Sequence, residues 1–241
     1  MANTSSTLST LPAYKRDFLH ACTSSSCLTF GTYTLKSGRI SPYFFNIGVF
    51  HKARLLSALS LAFANTIAAH SNPAPLDFDI LFGPAYKGIP LATTTVEKLA
   101  SLNEDRFGEI SYAFNRKEVK AYGDGGSIVG APMEGKRVLI IDDVMTAGTA
   151  VNEAVEIIKQ QGGTLVGIVI ALDRQEKAPA KEGEGEDRPR KSAVGQVKER
   201  HGVPVVAVLT LDDIIEGYKA IGTADDVKRL EDYREKYKPS N

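Results

Sequence analysis

This sequence of 241 residues has few cysteines, no formal net charge and no long apolar run. Its only cysteines, Cys22 and Cys27, have neither a paired metal-site spacing nor the density of a disulfide scaffold, which favours a reducing compartment. Because 29 basic residues balance 29 acidic ones, the chain has no overall attraction to nucleic acid or to an anionic membrane. No stretch approaches the roughly 20 apolar residues of a membrane span, and the Ser/Thr-rich start lacks the hydrophobic segment of a secretion signal. We therefore expect a cytoplasmic protein whose anion sites are local.

What is present is ordinary globular material, with 43% hydrophobic and 24% charged residues, enough for one substantial domain over residues 1–241. Apolar residues recur at helical spacing in some segments and form short runs typical of buried strands in others. The helical segments are 55–67 and 151–158, and the strand-like runs are 78–82, 138–141, 165–172 and 203–211. Strands that alternate with helices predict an α/β fold whose parallel sheet is covered on both faces.

Three segments depart from this alternation. Residues 1–10 are mostly Ser and Thr and are expected to be disordered. Residues 176–192 contain no aromatic or branched aliphatic side chain and cannot bury enough apolar area to offset their ordering entropy. They are predicted to be a mobile surface insertion, with a partner-binding role as the alternative. Near the end, apolar residues at helical spacing from Val227 to Tyr237 predict a structural helix.

The segment Val138–Ala150, VLIIDDVMTAGTA, joins an apolar strand to two adjacent acids and then to a small-residue turn that opens a helix. Since open α/β sheets bind ligands at the carboxyl ends of their strands, Asp142 and Asp143 predict a site there. The small residues 146–149 let backbone N–H groups and the positive helix end close on a phosphate, which favours a ribose phosphate as ligand. A nucleotide-hydrolase magnesium strand is the alternative, but the sequence lacks the P-loop that such a hydrolase needs.

Two further segments combine glycine with positive charge. Residues 82–90, FGPAYKGIP, follow an apolar run, and their glycines let backbone amides approach an anion while Lys87 supplies a charge. Residues 115–126, NRKEVKAYGDGG, bring Arg116, Lys117 and Lys120 close to several glycines, which favours a lid that closes over a diphosphate. Fully extended, this segment spans about 40 Å and an out-and-back excursion reaches roughly half that, so a neighbouring subunit is within its range. Taken alone, each segment also fits an ordinary solvated turn or loop.

Aromatic rings and an arginine mark two more candidate positions. In residues 35–46, LKSGRISPYFFN, Lys36 precedes the pair Phe44 and Phe45. Adjacent side chains on a strand point to opposite faces, so one ring is expected in the core and the other is available to stack on a flat ligand. Packing of both rings is the alternative. Arg174, in ALDRQE, follows an apolar run and could bind a planar carboxylate bidentately, although an ordinary exposed arginine at a strand end fits as well.

The five segments, in their order along the chain, resemble those of the orotate phosphoribosyltransferases. The resemblance extends from about Leu35 to Leu211. VLIIDDVMTAGTA alone is similar to the phosphoribosyl-diphosphate (PRPP) signature of all type I phosphoribosyltransferases, whereas LKSGRISPYFFN, FNRKE and ALDRQE are more specific. The resemblance implies the type I phosphoribosyltransferase fold: α/β, with a central mostly parallel sheet flanked by helices, a small N-terminal hood and a flexible lid loop. It also implies transfer of the 5-phosphoribosyl group from PRPP to orotate, with Mg²⁺, in pyrimidine biosynthesis.

The same resemblance implies roles for individual residues. The catalytic residues that it implies are Lys117, Lys120, Asp142 and Asp143. The PRPP-binding residues are Lys36, Tyr86, Lys87, Arg116, Lys117, Lys120, Tyr122, Asp142, Asp143, Val144, Met145, Thr146, Ala147, Gly148, Thr149 and Ala150. The orotate-binding residues are Phe44, Phe45, Thr146 and Arg174. Mg²⁺ is expected to be held mainly by PRPP and water rather than by a protein metal cage, and the active sites are expected to be shared across a homodimer.

One feature of the lid differs from the family pattern, K-D-H-G. Here Lys120 is followed by Ala121, Tyr122 and Gly123, so a tyrosine replaces the lid histidine and a proton-transfer role there is left unassigned. Two alternatives to the orotate reaction stay open: a type I phosphoribosyltransferase that acts on a purine or uracil, and a PRPP-sensing regulator without turnover. Arg174 and the aromatic pair favour a carboxylated pyrimidine, and the lid cations favour an enzyme.

Overall fold

The computed structural model describes residues 10–70, 76–120, 126–145, 148–180 and 184–240. The chain divides into two units, which we name the sheet unit and the terminal unit. The sheet unit consists of Leu59–Asp173 and Ala193–Val208, and the terminal unit of Met1–Ala58, Arg174–Ser192 and Leu209–Asn241. This division does not test the prediction of a single domain, which stays a prediction.

Strands and helices alternate along most of the described chain. The strands are β1 Leu28–Thr34, β2 Ile40–Phe45, β3 Ile80–Phe82, β4 Ser111–Lys120, β5 Gly126–Gly130, β6 Arg137–Val144, β7 Thr164–Asp173 and β8 Val205–Thr210. The α-helices are α1 Ala13–Ser24, α2 Ala53–Ala69, α3 Gly88–Leu102, α4 Glu104–Phe107, α5 Thr149–Gln160, α6 Ala193–His201, α7 Leu211–Tyr218 and α8 Ala224–Lys236. None of the helices in the described ranges is long and apolar enough to cross a membrane.

The sheet unit is built on six strands in the order β5-β4-β3-β6-β7-β8. Strand β3 runs parallel to β4 and to β6, β6 runs parallel to β7, and β5 pairs antiparallel with β4 at the edge. Val138 and Ile140 of β6 are fully buried, as are Leu139 and Ile141, whose side chains point to the other face of the strand. The predicted α/β fold with a central, mostly parallel sheet flanked by helices is confirmed.

Some strand boundaries differ from the apolar runs in the sequence. The strand predicted over 138–141 continues through Val144. The run over 203–211 is too long, because Thr210 caps helix α7: its Oγ1 accepts from Asp213 N at 3.1 Å, and its own N donates to Asp213 Oδ2 at 2.9 Å. This reciprocal capping box ends the strand one residue before the apolar run ends.

The terminal unit contains the antiparallel pair β1 and β2 together with helices α1, α7 and α8. Aromatic contacts join its elements: the rings of Phe30 and Tyr218 stack with centroids 3.8 Å apart, and the rings of Tyr43 and Tyr233 meet edge to face at 6.1 Å. The predicted C-terminal helix is confirmed as α8, whose first turn is capped by Thr223.

Both ends of the segment 176–192 are held in the terminal unit. Lys177 and Ser192, which form an isolated β-bridge, are only 8% and 2% exposed. The buried guanidinium of Arg39 donates to the carbonyl oxygens of Lys177 and Ala178 at 2.7 and 3.1 Å. Polar contacts thus anchor a segment that has little apolar area to bury. The mobility predicted for the whole segment stays a prediction, and its residues 181–183 lie outside the described part of the chain.

The predicted disorder of residues 1–10 falls almost entirely outside the described residues. Thr10 is described, and its hydroxyl donates to Glu216 Oε1 at 3.4 Å within the terminal unit.

Candidate active site

Two adjacent carboxylates lie at the carboxyl end of the central strand β6. Asp142 pairs with Ile170 of β7 in the parallel ladder, so the acids belong to the end of the strand rather than to the loop after it. Both residues are half-buried. Because β3 and β7 flank β6 and run parallel to it, the acids lie in the position where open sheets bind ligands.

Hydrogen bonds fix the two carboxylates differently. Asp142 Oδ1 accepts from the backbone N of Asp143 at 2.8 Å, and Asp143 Oδ1 accepts from the backbone N of Val144 at 2.7 Å. Asp143 Oδ2 also accepts from Lys87 Nζ at 2.7 Å. Burial, with a smaller contribution from the charge of Asp143, raises the pKa of Asp142 to about 6. The acid pair therefore has more negative charge than its partners neutralise, and it suits a ligand with positive character.

The glycine-bearing loop after β3 closes on itself. A Cβ atom on Gly83 would lie 2.0 Å from the carbonyl oxygen of Gly88, so the backbones at the two ends of the loop approach too closely for any side chain. Asn115 Oδ1 accepts from Ala85 N at 2.9 Å and ties the loop to strand β4. The two glycines are therefore required by this close contact. The approach of their backbone amides to an anion stays a prediction.

Tyr86 and Lys87 project from that loop into solvent. The Ala85–Tyr86 peptide bond is cis, Tyr86 is 71% exposed, and the Lys87 side chain is 63% exposed. Lys87 crosses from the end of β3 to Asp143 at the end of β6. The structure thus brings together three of the predicted site residues: Lys87, Asp142 and Asp143.

The first half of the predicted lid is strand rather than loop. Asn115 through Lys120 belong to β4, where Lys120 pairs with Gly126 of β5 after an irregularity in register. The pairing with β5 explains the difference, since the sequence pattern of charges and glycines does not reveal an edge hairpin. Lys117 is exposed, and Arg116 Nε is buried without a hydrogen-bond partner among the described residues. The Lys120 side chain and Tyr122 lie outside what the structure describes.

The predicted phosphate-binding turn leads into helix α5. Met145 is buried and Val144 is half-buried, while Thr149 and Ala150, in the first turn of the helix, are exposed. Gly148 is the N-cap residue at φ +72°, and a side chain there would also lie 3.1 Å from Val197 Cγ2. Backbone N–H groups in the first turn of a helix have no partner within the helix and remain available to an anion. Thr146 and Ala147 lie outside the described residues.

In the terminal unit, the two aromatic candidates lie next to each other on strand β2 but point to opposite faces of it. Phe44 is 44% exposed with its ring centroid 5.5 Å from that of Tyr33, whereas Phe45 is 9% exposed. The expectation that adjacent rings point to opposite faces is confirmed, and the ring available to a ligand is Phe44. Lys36 is exposed in the connection between β1 and β2.

Arg174, also in the terminal unit, is held by several side chains. Its Nε donates to Glu176 Oε1 at 2.7 Å, and its Nη2 lies 3.2 Å from Ser41 Oγ and 3.4 Å from the Tyr233 hydroxyl. The guanidinium carbon lies 4.5 Å from the centroid of the Tyr43 ring. Since Ser41 and Tyr43 share one face of β2, the structure does not place the Arg174 guanidinium on the same face of that strand as the Phe44 ring.

Sequence reasoning missed the side chains that surround Arg174, and also the role of Asn115. Glu176 lies two residues after Arg174 in ALDRQE and could have been noted as a nearby carboxylate. Ser41, Tyr43 and Tyr233 are far away in the sequence, and no local pattern connects them to Arg174.

Comparison with known proteins agrees with this arrangement. Residues 57–197 match the family model described as the phosphoribosyl transferase domain. The chain is 52% identical to the orotate phosphoribosyltransferase of Neurospora crassa over 234 residues, which cover 97% of this chain and 100% of that protein. It is 53% identical to the orotate phosphoribosyltransferase of Sordaria macrospora over 228 residues, covering 95% of this chain and 98% of that protein. The chain belongs to the orotate phosphoribosyltransferase family.

A solved structure of another orotate phosphoribosyltransferase is similar throughout. The enzyme from Francisella tularensis superposes with a TM-score of 0.77 at 39% identity and covers 92% of this chain and 98% of that one. The match extends over elements of both units, so the family assignment applies to the terminal unit as well as to the sheet unit.

Proposed function

We propose that this chain transfers the 5-phosphoribosyl group from PRPP to orotate and releases orotidine 5′-monophosphate and diphosphate, a step of UMP biosynthesis. The observation that supports it best is the contact of Lys87 with Asp143, beside Asp142, at the ends of parallel strands β3 and β6. The two carboxylates suit the ribose hydroxyls, and the ammonium group of Lys87 suits the diphosphate. Both lie next to the start of helix α5, which suits a phosphate. Relatives with this activity in their names match nearly the whole chain.

The proposed chemistry is electrostatic. Displacement of diphosphate at ribose C1 builds positive charge on the sugar and negative charge on the leaving group. Asp142 and Asp143 face the sugar in this proposal, while the amino groups of the lysines take the diphosphate. These lysines are Lys36, Lys87, Lys117 and Lys120. Orotate is already an anionic nucleophile, so the reaction needs no strong general base.

The Lys87–Asp143 ion pair adds a step to PRPP binding. Lys87 Nζ is 2.7 Å from Asp143 Oδ2, so an incoming diphosphate has to compete with this carboxylate for the ammonium. Because the Lys87 side chain is 63% exposed, it can turn towards a ligand at small cost. We propose that PRPP separates the pair, which leaves Asp143 Oδ2 available to the ribose hydroxyls.

Mg²⁺ fits this donor set. Carboxylate oxygens are ligands that Mg²⁺ accepts, usually together with water and substrate phosphates, and a nearby cation would favour the ionised form of Asp142. When bound, the ion would neutralise charge on the diphosphate. We propose that Asp142 and Asp143 interact with it through water rather than as a closed protein cage.

The oligomeric state and the location of the protein also follow from the sequence prediction. We propose that the chain acts as a homodimer in which the 115–126 segment serves the active site of the partner as a lid. The predicted cytoplasmic location likewise stays a prediction.

Substrate selection tests the proposed reaction. Product formation from PRPP is to be compared with orotate, uracil and hypoxanthine as acceptors. We expect product only when orotate is the acceptor. Turnover with uracil or hypoxanthine as acceptor would favour the alternative phosphoribosyltransferases. PRPP binding without any turnover would favour a regulatory protein.

A variant at Arg174 tests the orotate contact. Arg174→Ala should mainly raise the KM for orotate, because the proposed carboxylate partner is lost while the PRPP residues are untouched. Arg229→Ala is a matched control, since Arg229 donates to Gly31 O and Thr32 Oγ1, away from Arg174. An unchanged orotate KM in Arg174→Ala would remove the assignment.

A further inference from the structure

Two of the three guanidinium nitrogens of Arg174, Nε and Nη2, have hydrogen-bond partners among the described residues. Glu176 takes Nε, and Ser41 and Tyr233 lie within 3.4 Å of Nη2. No hydrogen bond from Nη1 to any residue in the described ranges is present. A bidentate contact with a ligand carboxylate through Nε would have to displace Glu176, and the bond to Glu176 is the shortest that Arg174 makes.

Glu176 lies between two arginines. Its Oε1 accepts from Arg174 Nε at 2.7 Å, and its Oε2 is 3.7 Å from Arg39 Nη1. The side chains of Arg174 and Glu176 are each 13% exposed, and that of Arg39 is 3% exposed. Water screens charges weakly at such burial, so the carboxylate has a strong influence on the placement of the closer guanidinium, that of Arg174.

Arg39 does not depend on Glu176 for its position. Its Nε and Nη2 donate to the two carboxylate oxygens of Glu186 at 2.9 and 3.0 Å, and its Nη1 donates to Lys177 O at 2.7 Å. Its guanidinium carbon also lies 4.6 Å from the centroid of the Tyr237 ring. Of the two arginines, Arg174 makes the shorter contact with Glu176, which also interacts with the Tyr233 hydroxyl beside Arg174. The main effect of Glu176 is therefore on Arg174.

We propose that Glu176 is a positioning residue for orotate recognition. It fixes the Nε edge of Arg174, and Nη1 is then the nitrogen that meets the orotate carboxylate. This inference rests on the proposed function, because it assigns Arg174 to orotate. It replaces the bidentate contact expected from the sequence with a contact through the Nη1 end of the guanidinium.

The test compares Glu176→Ala with the wild-type protein in steady-state kinetics and in calorimetric titration with orotate. A hydrogen bond between charged groups supports a rise of about tenfold in the orotate KM and Kd, with the PRPP KM changed by less than about twofold. Glu176→Gln keeps an oxygen acceptor for Arg174 Nε and should recover part of the loss. If the alanine variant does not fold, the orotate KM of Glu176→Gln provides the test instead.

Two controls separate positioning from general structural support. Glu186→Gln alters a carboxylate that contacts Arg39 and Arg190 but not Arg174, so it should leave the orotate KM within about twofold of the wild type. In the Arg174→Ala background, Glu176→Ala should have no additional effect, because a residue that acts through Arg174 has nothing left to position.

Three results would overturn the inference: an unchanged orotate KM in Glu176→Ala, an equal loss in Glu186→Gln, or the full effect of Glu176→Ala in the Arg174→Ala background. Failure of the proposed function is distinct, because the wild-type protein itself would then form no orotidine 5′-monophosphate.

Discussion

Replacing Asp142 with Asn should stabilise the folded protein at neutral pH while it lowers activity. Burial and the neighbouring Asp143 raise the pKa of Asp142 from its ordinary value of 3.8 to about 6, so the folded state disfavours the ionised carboxylate. Asparagine has nearly the same shape and no charge, and its Oδ1 can still accept from Asp143 N. The variant therefore removes the unfavourable charge and keeps the hydrogen bond.

The size of the effect follows from the pKa. Each pKa unit corresponds to about 1.4 kcal/mol, so the ionised Asp142 lowers the free energy of unfolding by up to about 3 kcal/mol above pH 7. Because the pKa of an acid is raised in the folded state, this loss is absent below the ordinary value of 3.8 and grows as the pH rises through about 6. The gain in Asp142→Asn should fall to about half by pH 5.

Urea unfolding at pH 7.5 and pH 5 measures both the gain and its pH dependence. Asp143→Asn is the matched control: it removes a smaller repulsion on Asp142 but also the contact with Lys87, so its gain should be smaller than that of Asp142→Asn. A gain in Asp142→Asn that is equal at both pH values, or a loss of stability at pH 7.5, would refute the electrostatic argument.

Three further predictions concern the sheet unit. Lys117→Ala should lower kcat by orders of magnitude with a modest change in PRPP affinity, and equal losses in both would argue against a lid role. Gly83→Ala should lower both stability and PRPP affinity, because its Cβ would lie 2.0 Å from Gly88 O, whereas Gly185→Ala, with nothing within 4 Å, should change neither. Hydrogen bonds from Arg137 lower the pKa of Asp79 to about 2, so this carboxylate stabilises the fold above its ordinary pKa of 3.8 and less as the pH falls towards 2. Arg137→Met should therefore shift the acid-unfolding midpoint to higher pH, and an unchanged midpoint would contradict the assignment.

Local patterns predicted the central features of the fold and of the acid pair. The apolar run that includes Val138 and Ile140, both fully buried in the structure, identifies an inner strand. Acids directly after such a run must emerge at the carboxyl end of the strand. Helices α5 and α8 were likewise predictable, because their apolar residues recur at the helical spacing. These features depend on neighbours in the sequence, which a single chain displays directly.

Features that depend on distant residues were not predictable in this way. The Lys87–Asp143 contact joins residues 56 positions apart, and the Ser41–Arg174 contact joins residues 133 positions apart. The anchoring of the 176–192 segment by Arg39 was missed because its composition lacks apolar residues, and buried guanidinium and carbonyl groups supply the contacts instead. The family resemblance implied only a small N-terminal hood, and the antiparallel pairing of β1 with β2 was not predicted.

The most direct test of the account is the stoichiometry of the proposed reaction. The protein is incubated with PRPP, Mg²⁺ and orotate, and diphosphate and orotidine 5′-monophosphate are measured together. We predict equal amounts of the two products and no diphosphate when orotate is omitted. No diphosphate with orotate present, or release at the same rate without it, would contradict the transfer of the phosphoribosyl group to orotate.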